Sequence, residues 1–109
     1  LDATFAAVMQ AGDWLPDGVE NWPKFNEKYR SPIYAEGTFN KVYGAYDGAR
    51  FAYMVFGVEG ATTIQAQRAV FTRVRHPVTG DVLATYDLAA GQSVPAPALW
   101  AYVLEGSIR

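Results

Sequence analysis

The chain has 109 residues, of which 50% are hydrophobic, 15% aromatic and 18% charged, with a formal net charge of −2. That length suits one domain spanning residues 1–109 with a core of its own, and the charged fraction is lean beside the about 25% usual for soluble domains. The absence of cysteine excludes disulfides, thiolate catalysis and cysteine-ligated metals, and no apolar stretch approaches the roughly 20 residues that span a bilayer.

In chain order, Asp2 is an N-cap for a helix over residues 3–11, with Phe5, Val8 and Met9 on one stripe and Gly12 ending it. Residues 13–37 read as a long loop punctuated by Pro16-Asp17-Gly18, Trp22-Pro23 and Ser31-Pro32. The loop carries Trp14, Trp22, Phe25, Tyr29 and Tyr34, which is too apolar for a free linker, so it is expected to lie on the rest of the domain.

Residues 38–46 and 49–58 form a hairpin about Asp47-Gly48, the dipeptide that a two-residue type I′ turn favours. In the second strand Phe51, Tyr53 and Val55 alternate with Ala52, Met54, Phe56 and Val58, which predicts cover on both faces. Residues 62–75 read as one strand with Ile64, Ala66, Arg68, Val70, Thr72 and Val74 on one face. Arg73 and Arg75 share the other face with Gln65 and Gln67, a half-solvated pattern. After the loop His76-Pro77-Val78-Thr79-Gly80, residues 81–90 make the fourth strand, with Val82, Ala84, Tyr86 and Leu88 on one side. Pro97 opens a C-terminal helix whose stripe is Leu99, Trp100, Val103 and Leu104 and which Gly106 ends.

The expected fold is therefore α+β: a curved four-stranded antiparallel meander, with the N-terminal helix and aromatic loop on one face and a C-terminal helix at one end. A helix ending in Ala11-Gly12-Asp13-Trp14, then a loop, then a curved meander, resembles the cone-shaped nuclear-transport-factor-2-like fold. The resemblance covers the order of elements and implies a cone rather than a sandwich. It also implies either a binding module or a cofactor-free isomerase, dehydratase or hydrolase. A hotdog thioesterase-like fold is a rival resemblance, although the long central helix of that fold has no counterpart here.

Charge is distributed unevenly. Residues 1–36 hold six acids against Lys24, Lys28 and Arg30, whereas residues 37–76 hold Lys41, Arg50, Arg68, Arg73 and Arg75 against Asp47 and Glu59. The simplest reading is that the first segment packs on the second. A net negative chain with few clustered arginines speaks against nucleic acid as a partner.

Chemistry is sparse. His76 is the only histidine and precedes Pro77 in a turn, so a turn role is expected and no metal site. No glycine cluster opens a helix as a phosphate loop does, and Ser31, Ser93 and Ser107 lack a nucleophile-elbow context. No cofactor is implied. The one polar constellation is Arg68 on an apolar face with Tyr43, Tyr53, Tyr86 and Asp87 near it, in which Arg68 would anchor an anionic group and Tyr53, Tyr86 and Asp87 would move protons. A plain alternative is that Arg68 lays its stem on apolar neighbours and the tyrosines are ordinary strand residues.

Low charge and abundant aromatics, with Trp14, Trp22 and Trp100 as contact residues, favour a non-catalytic binding or assembly module that self-associates. A cofactor-free enzyme acting on a small apolar ligand in the concave face is the alternative. A subunit of a larger particle such as a virion is the third reading.

Overall fold

The alternation of residues 51–56 gives any strand built from them an apolar row on each side. The computed structural model, which describes residues 31–46 and 48–109, contains that strand as β3. In chain order the strands are β1 (Ile33–Thr38), β2 (Lys41–Tyr46), β3 (Arg50–Phe56), β4 (Glu59–Ala66), β5 (Val70–Arg75), β6 (Val82–Leu88), β7 (Ser93–Pro95) and β8 (Ala101–Ile108). Among the described residues there is no helix.

Two antiparallel sheets result, one of three strands in the order β1-β4-β7 and one of five in the order β2-β3-β8-β5-β6. The pairings β5–β6, β4–β7 and β3–β8 are nested about the β5–β6 turn. Strands β3 to β8 thus form one long hairpin rolled so that its arms fall in both sheets, the pairing scheme of a jelly roll. β8 then closes the roll by pairing with β5 as well.

The core lies between the sheets. Ile33, Ile64 and Ala66 come from the smaller sheet; Val42, Phe51, Tyr53, Val55, Val70, Val74, Leu88, Tyr102 and Leu104 come from the larger. The opposite face of the larger sheet carries a second buried cluster of Met54, Ala101 and Val103, with Phe56 against it. β3 and β8 are therefore buried on both sides, as the two apolar rows of residues 51–56 required.

The α+β expectation is overturned. The region expected as a C-terminal helix is strand: Ser93–Pro95 is β7, and Ala101–Ile108 is β8 in the middle of the larger sheet. Tyr102 and Leu104 enter the main core while Ala101 and Val103 enter the second cluster. An apolar run buried on both faces has no strand periodicity to display, so Leu99, Trp100, Val103 and Leu104 mimicked a helical stripe. The helix expected over residues 3–11 lies outside the described residues, as does most of the aromatic loop. The last part of that loop is strand β1. With eight strands in two sheets about a shared core, the four-stranded cone and both family resemblances give way to a layered all-β arrangement.

The strand expected over residues 62–75 is two strands in different sheets, β4 and β5, joined through Gln67–Ala69. Gln67 N and Arg68 N both donate to Pro32 O, at 2.8 and 3.4 Å, and fix the corner. Ile64, Ala66, Val70 and Val74 still face one core because the corner preserves their parity. The first hairpin is confirmed: β2 and β3 pair antiparallel in unbroken register from Lys41↔Phe56 to Tyr46↔Phe51.

Gly48 and Gly106 are constrained in different ways. Gly48 has φ +94°, so Gly48→Val is expected to cost roughly 1 kcal/mol, read as a lower denaturation midpoint. Gly106 lies where β8 crosses between Phe51 and Thr72, and a Cβ there would meet the backbone oxygen of Phe71 at 2.0 Å. Gly106→Ala is expected to cost about 3 kcal/mol, because backbone must move to admit it. A variant with the parent's denaturation midpoint would contradict the position of β8.

Candidate functional site

Alternation decides which side chains meet. Tyr53 and Tyr102 point into the core from neighbouring strands and are fully buried. Ser31 Oγ donates to Ile33 O at 2.6 Å, so the 2.8 Å contact with Tyr53 is completed by the tyrosine hydroxyl donating to Ser31 Oγ. Tyr102 O–H lies 3.5 Å from Thr62 Oγ1, and burial pushes its pKa up. Both phenols are committed to the packing between the sheets. Among the described residues no buried side-chain nitrogen or oxygen lacks a partner.

Tyr86 and Asp87 are adjacent in β6, so they take opposite faces. Tyr86 is half-buried against the core. Asp87 is on the outer face, gripped by Arg109 through Nε at 2.9 Å and through a second bond from Nη2. The hydrogen bond from Arg109 holds the Asp87 carboxyl below its ordinary pKa. Tyr53, Tyr86 and Asp87 therefore do not converge.

Arg68 is not on an apolar face. It sits exposed at the β4–β5 corner, where Nη1 donates to the Tyr46 hydroxyl at 3.0 Å and the guanidinium lies 5.8 Å from that ring's centroid. The structure pairs it with Tyr46 rather than with Tyr53 or Tyr86. Trp100 precedes β8 instead of riding on a helix; it is 61% exposed and edge-on to Phe56 at 6.0 Å. Trp14 and Trp22 lie outside the described residues. His76 takes the expected turn role, its Nδ1 accepting from Val78 N and Thr79 N.

Two surface features escaped the sequence reading. The first is on the outer face of the larger sheet. Glu105 Oε1 accepts from Arg73 Nη1 and Arg75 Nε, each at 3.2 Å, while the Phe71 ring carries Arg73 at 4.9 Å and Arg109 at 5.4 Å. The alternation of Arg73 with Arg75 is visible in the sequence, but a C-terminal helix carries Glu105 away from them, so that expectation gives the group no carboxylate. The second is at the β5–β6 hairpin, where Val78, Val82 and Leu83 are 58%, 48% and 44% exposed. Large apolar side chains on one hairpin that the fold leaves in water are a contact surface by their chemistry.

No family model matches the chain, and neither the curated proteins nor the solved structures give a match. Among the described residues there is no helix long and apolar enough to cross a membrane, and no group of acidic or histidine side chains placed to hold a metal ion.

The two polar sites should respond differently to substitution. Arg68→Met is expected to change stability by less than about 0.5 kcal/mol, since an exposed side chain is exchanged. Glu105→Gln should cost about 1 kcal/mol or more, because it leaves two half-buried guanidiniums side by side without their shared carboxylate. Urea denaturation of the two variants reads the difference, and equal effects would contradict the placement of Arg68.

Proposed function

We propose that this domain acts through its surface, as a binding and assembly module that associates with copies of itself. The observation that carries the reading is the set of large apolar side chains left in water: Val78, Val82 and Leu83 on one hairpin, and Trp100 at the start of β8. A small domain with 18% charged residues has little polar surface with which to isolate such groups, and covering them by a partner removes apolar area from water. The separation of Tyr53, Tyr86 and Asp87 lends no support to the alternative of a cofactor-free isomerase, dehydratase or hydrolase.

A second reading is favoured by the nested hairpin. Jelly-roll wrapping recurs in subunits that tile particles, so a component of a larger particle such as a virion fits the same surface. Both readings require self-association. Light scattering at micromolar concentration is expected to give a mass at least twice 12.0 kDa. A monodisperse mass of one chain would overturn the proposal.

A further inference from the structure

From the way each sheet edge is built, we infer that β6 is the self-association edge: two copies join by antiparallel β6–β6 pairing about a two-fold axis near Thr85, making one ten-stranded sheet. This rests on the self-association reading and names its surface.

A strand at a sheet edge presents a row of unpaired backbone donors and acceptors, and proteins normally blunt such edges. Among the described strands four are edges: β1 and β7 in the smaller sheet, β2 and β6 in the larger. β7 is three residues long and contains Pro95, which has no N–H to offer. β1 is broken by a register shift between Glu36 and Thr38, where Gly37 takes φ +138°. β2 carries Lys41, a charge that opposes edge pairing.

β6 also carries a register shift, but only at its hairpin end, and it is otherwise unbroken. It runs seven residues as VLATYDL, with no proline, no lysine and no arginine. Its one irregularity sets Arg75 opposite Val82 and leaves Leu83 as the extra residue at the hairpin end. From Ala84 to Leu88 the pairing with β5 is regular, so the other side of that stretch is regular too. Among the described strands none pairs with it.

The mismatch between the sheets adds a reason. Among the described residues three strands face five, and on the inner side of β6 Ala84 and Tyr86 are only partly buried while Leu88 is buried. The inner side of β6 is thus an unfinished margin of the core. A second copy would bring its own Ala84 and Tyr86 beside the first pair and extend the apolar row across the joint.

The occupant follows from charge and symmetry. Residues 82–86 are uncharged, and Asp87 already has Arg109 as its partner, so two β6 edges meet without unpaired like charges. An antiparallel strand pair about a two-fold axis is self-complementary, so one edge suffices for both subunits. Thr85 is the midpoint of Val82–Leu88 and is exposed on the outer face, which puts it opposite its own copy.

The absence of cysteine permits a direct test. Opposed residues in an antiparallel pair have Cα atoms about 4.5–5.5 Å apart, inside the disulfide range. Thr85→Cys is expected to form a disulfide-linked dimer under mild oxidation, whereas Thr63→Cys, exposed on the smaller sheet, should stay unlinked. Thr85→Lys sets two ammonium groups at the joint and is expected to shift the mass to one chain at the concentration where the parent is a dimer, with the circular dichroism spectrum retained. An oligomeric parent with an unlinked Thr85→Cys and an undiminished Thr85→Lys mass would overturn the edge assignment and leave self-association standing. A monomeric parent would overturn both. Should Thr85→Lys unfold, the crosslink decides alone.

Discussion

β8 holds the larger sheet together, because β2 with β3 and β5 with β6 are each joined locally and, among the described strands, only β8 bridges the two pairs. It does so by lying between β3 and β5 over residues 103–107, and Gly106 makes that possible where Phe51, Phe71 and Thr72 leave no room for a side chain. Around this crossing the rest falls into place. Thr72 Oγ1 donates to Glu105 O across one joint, Glu105 holds Arg73 and Arg75 on the outer face, and Tyr102 and Leu104 fill the inner one. The burial of Met54, Ala101 and Val103 on the outer face makes β3 and β8 the best-shielded part of the described structure.

How far the sequence reveals this architecture depends on whether each signal is local. The two-sided apolar rows of β3, the β2–β3 and β5–β6 hairpins and the turn role of His76 are set by residues a few positions apart, and they are legible. β8 is not, because a strand apolar on both faces and a buried helix turn look alike over eight residues, and Pro97 fits the first turn of a helix equally well. The corner at Gln67–Ala69 contains neither glycine nor proline. Its one clue was length, since a strand of fourteen residues would far exceed the usual five or six.

The candidate site was less legible than the fold, for a related reason. Placing Arg68 on an inner face required one unbroken strand, and the corner moves it to the surface beside Tyr46. Bringing Tyr86 and Asp87 together ignored their adjacency in a strand, which sends them to opposite faces. The Arg73–Arg75–Glu105 group needed the register of β8, which is a long-range fact. The exposure of Val82 and Leu83 needed the sheet order that makes β6 an edge.

The central position of β8 also bears on how the molecule is made. Synthesis delivers β3 and β5 well before residues 101–108, and until those residues leave the ribosome each waits with an open edge that only β8 can satisfy. Pairings of such large sequence separation form slowly, and waiting strands are the ones that join wrong neighbours. A nascent chain halted before β8 would therefore carry β2–β3 and β5–β6 as two separate hairpins, lacking the described strand that joins them.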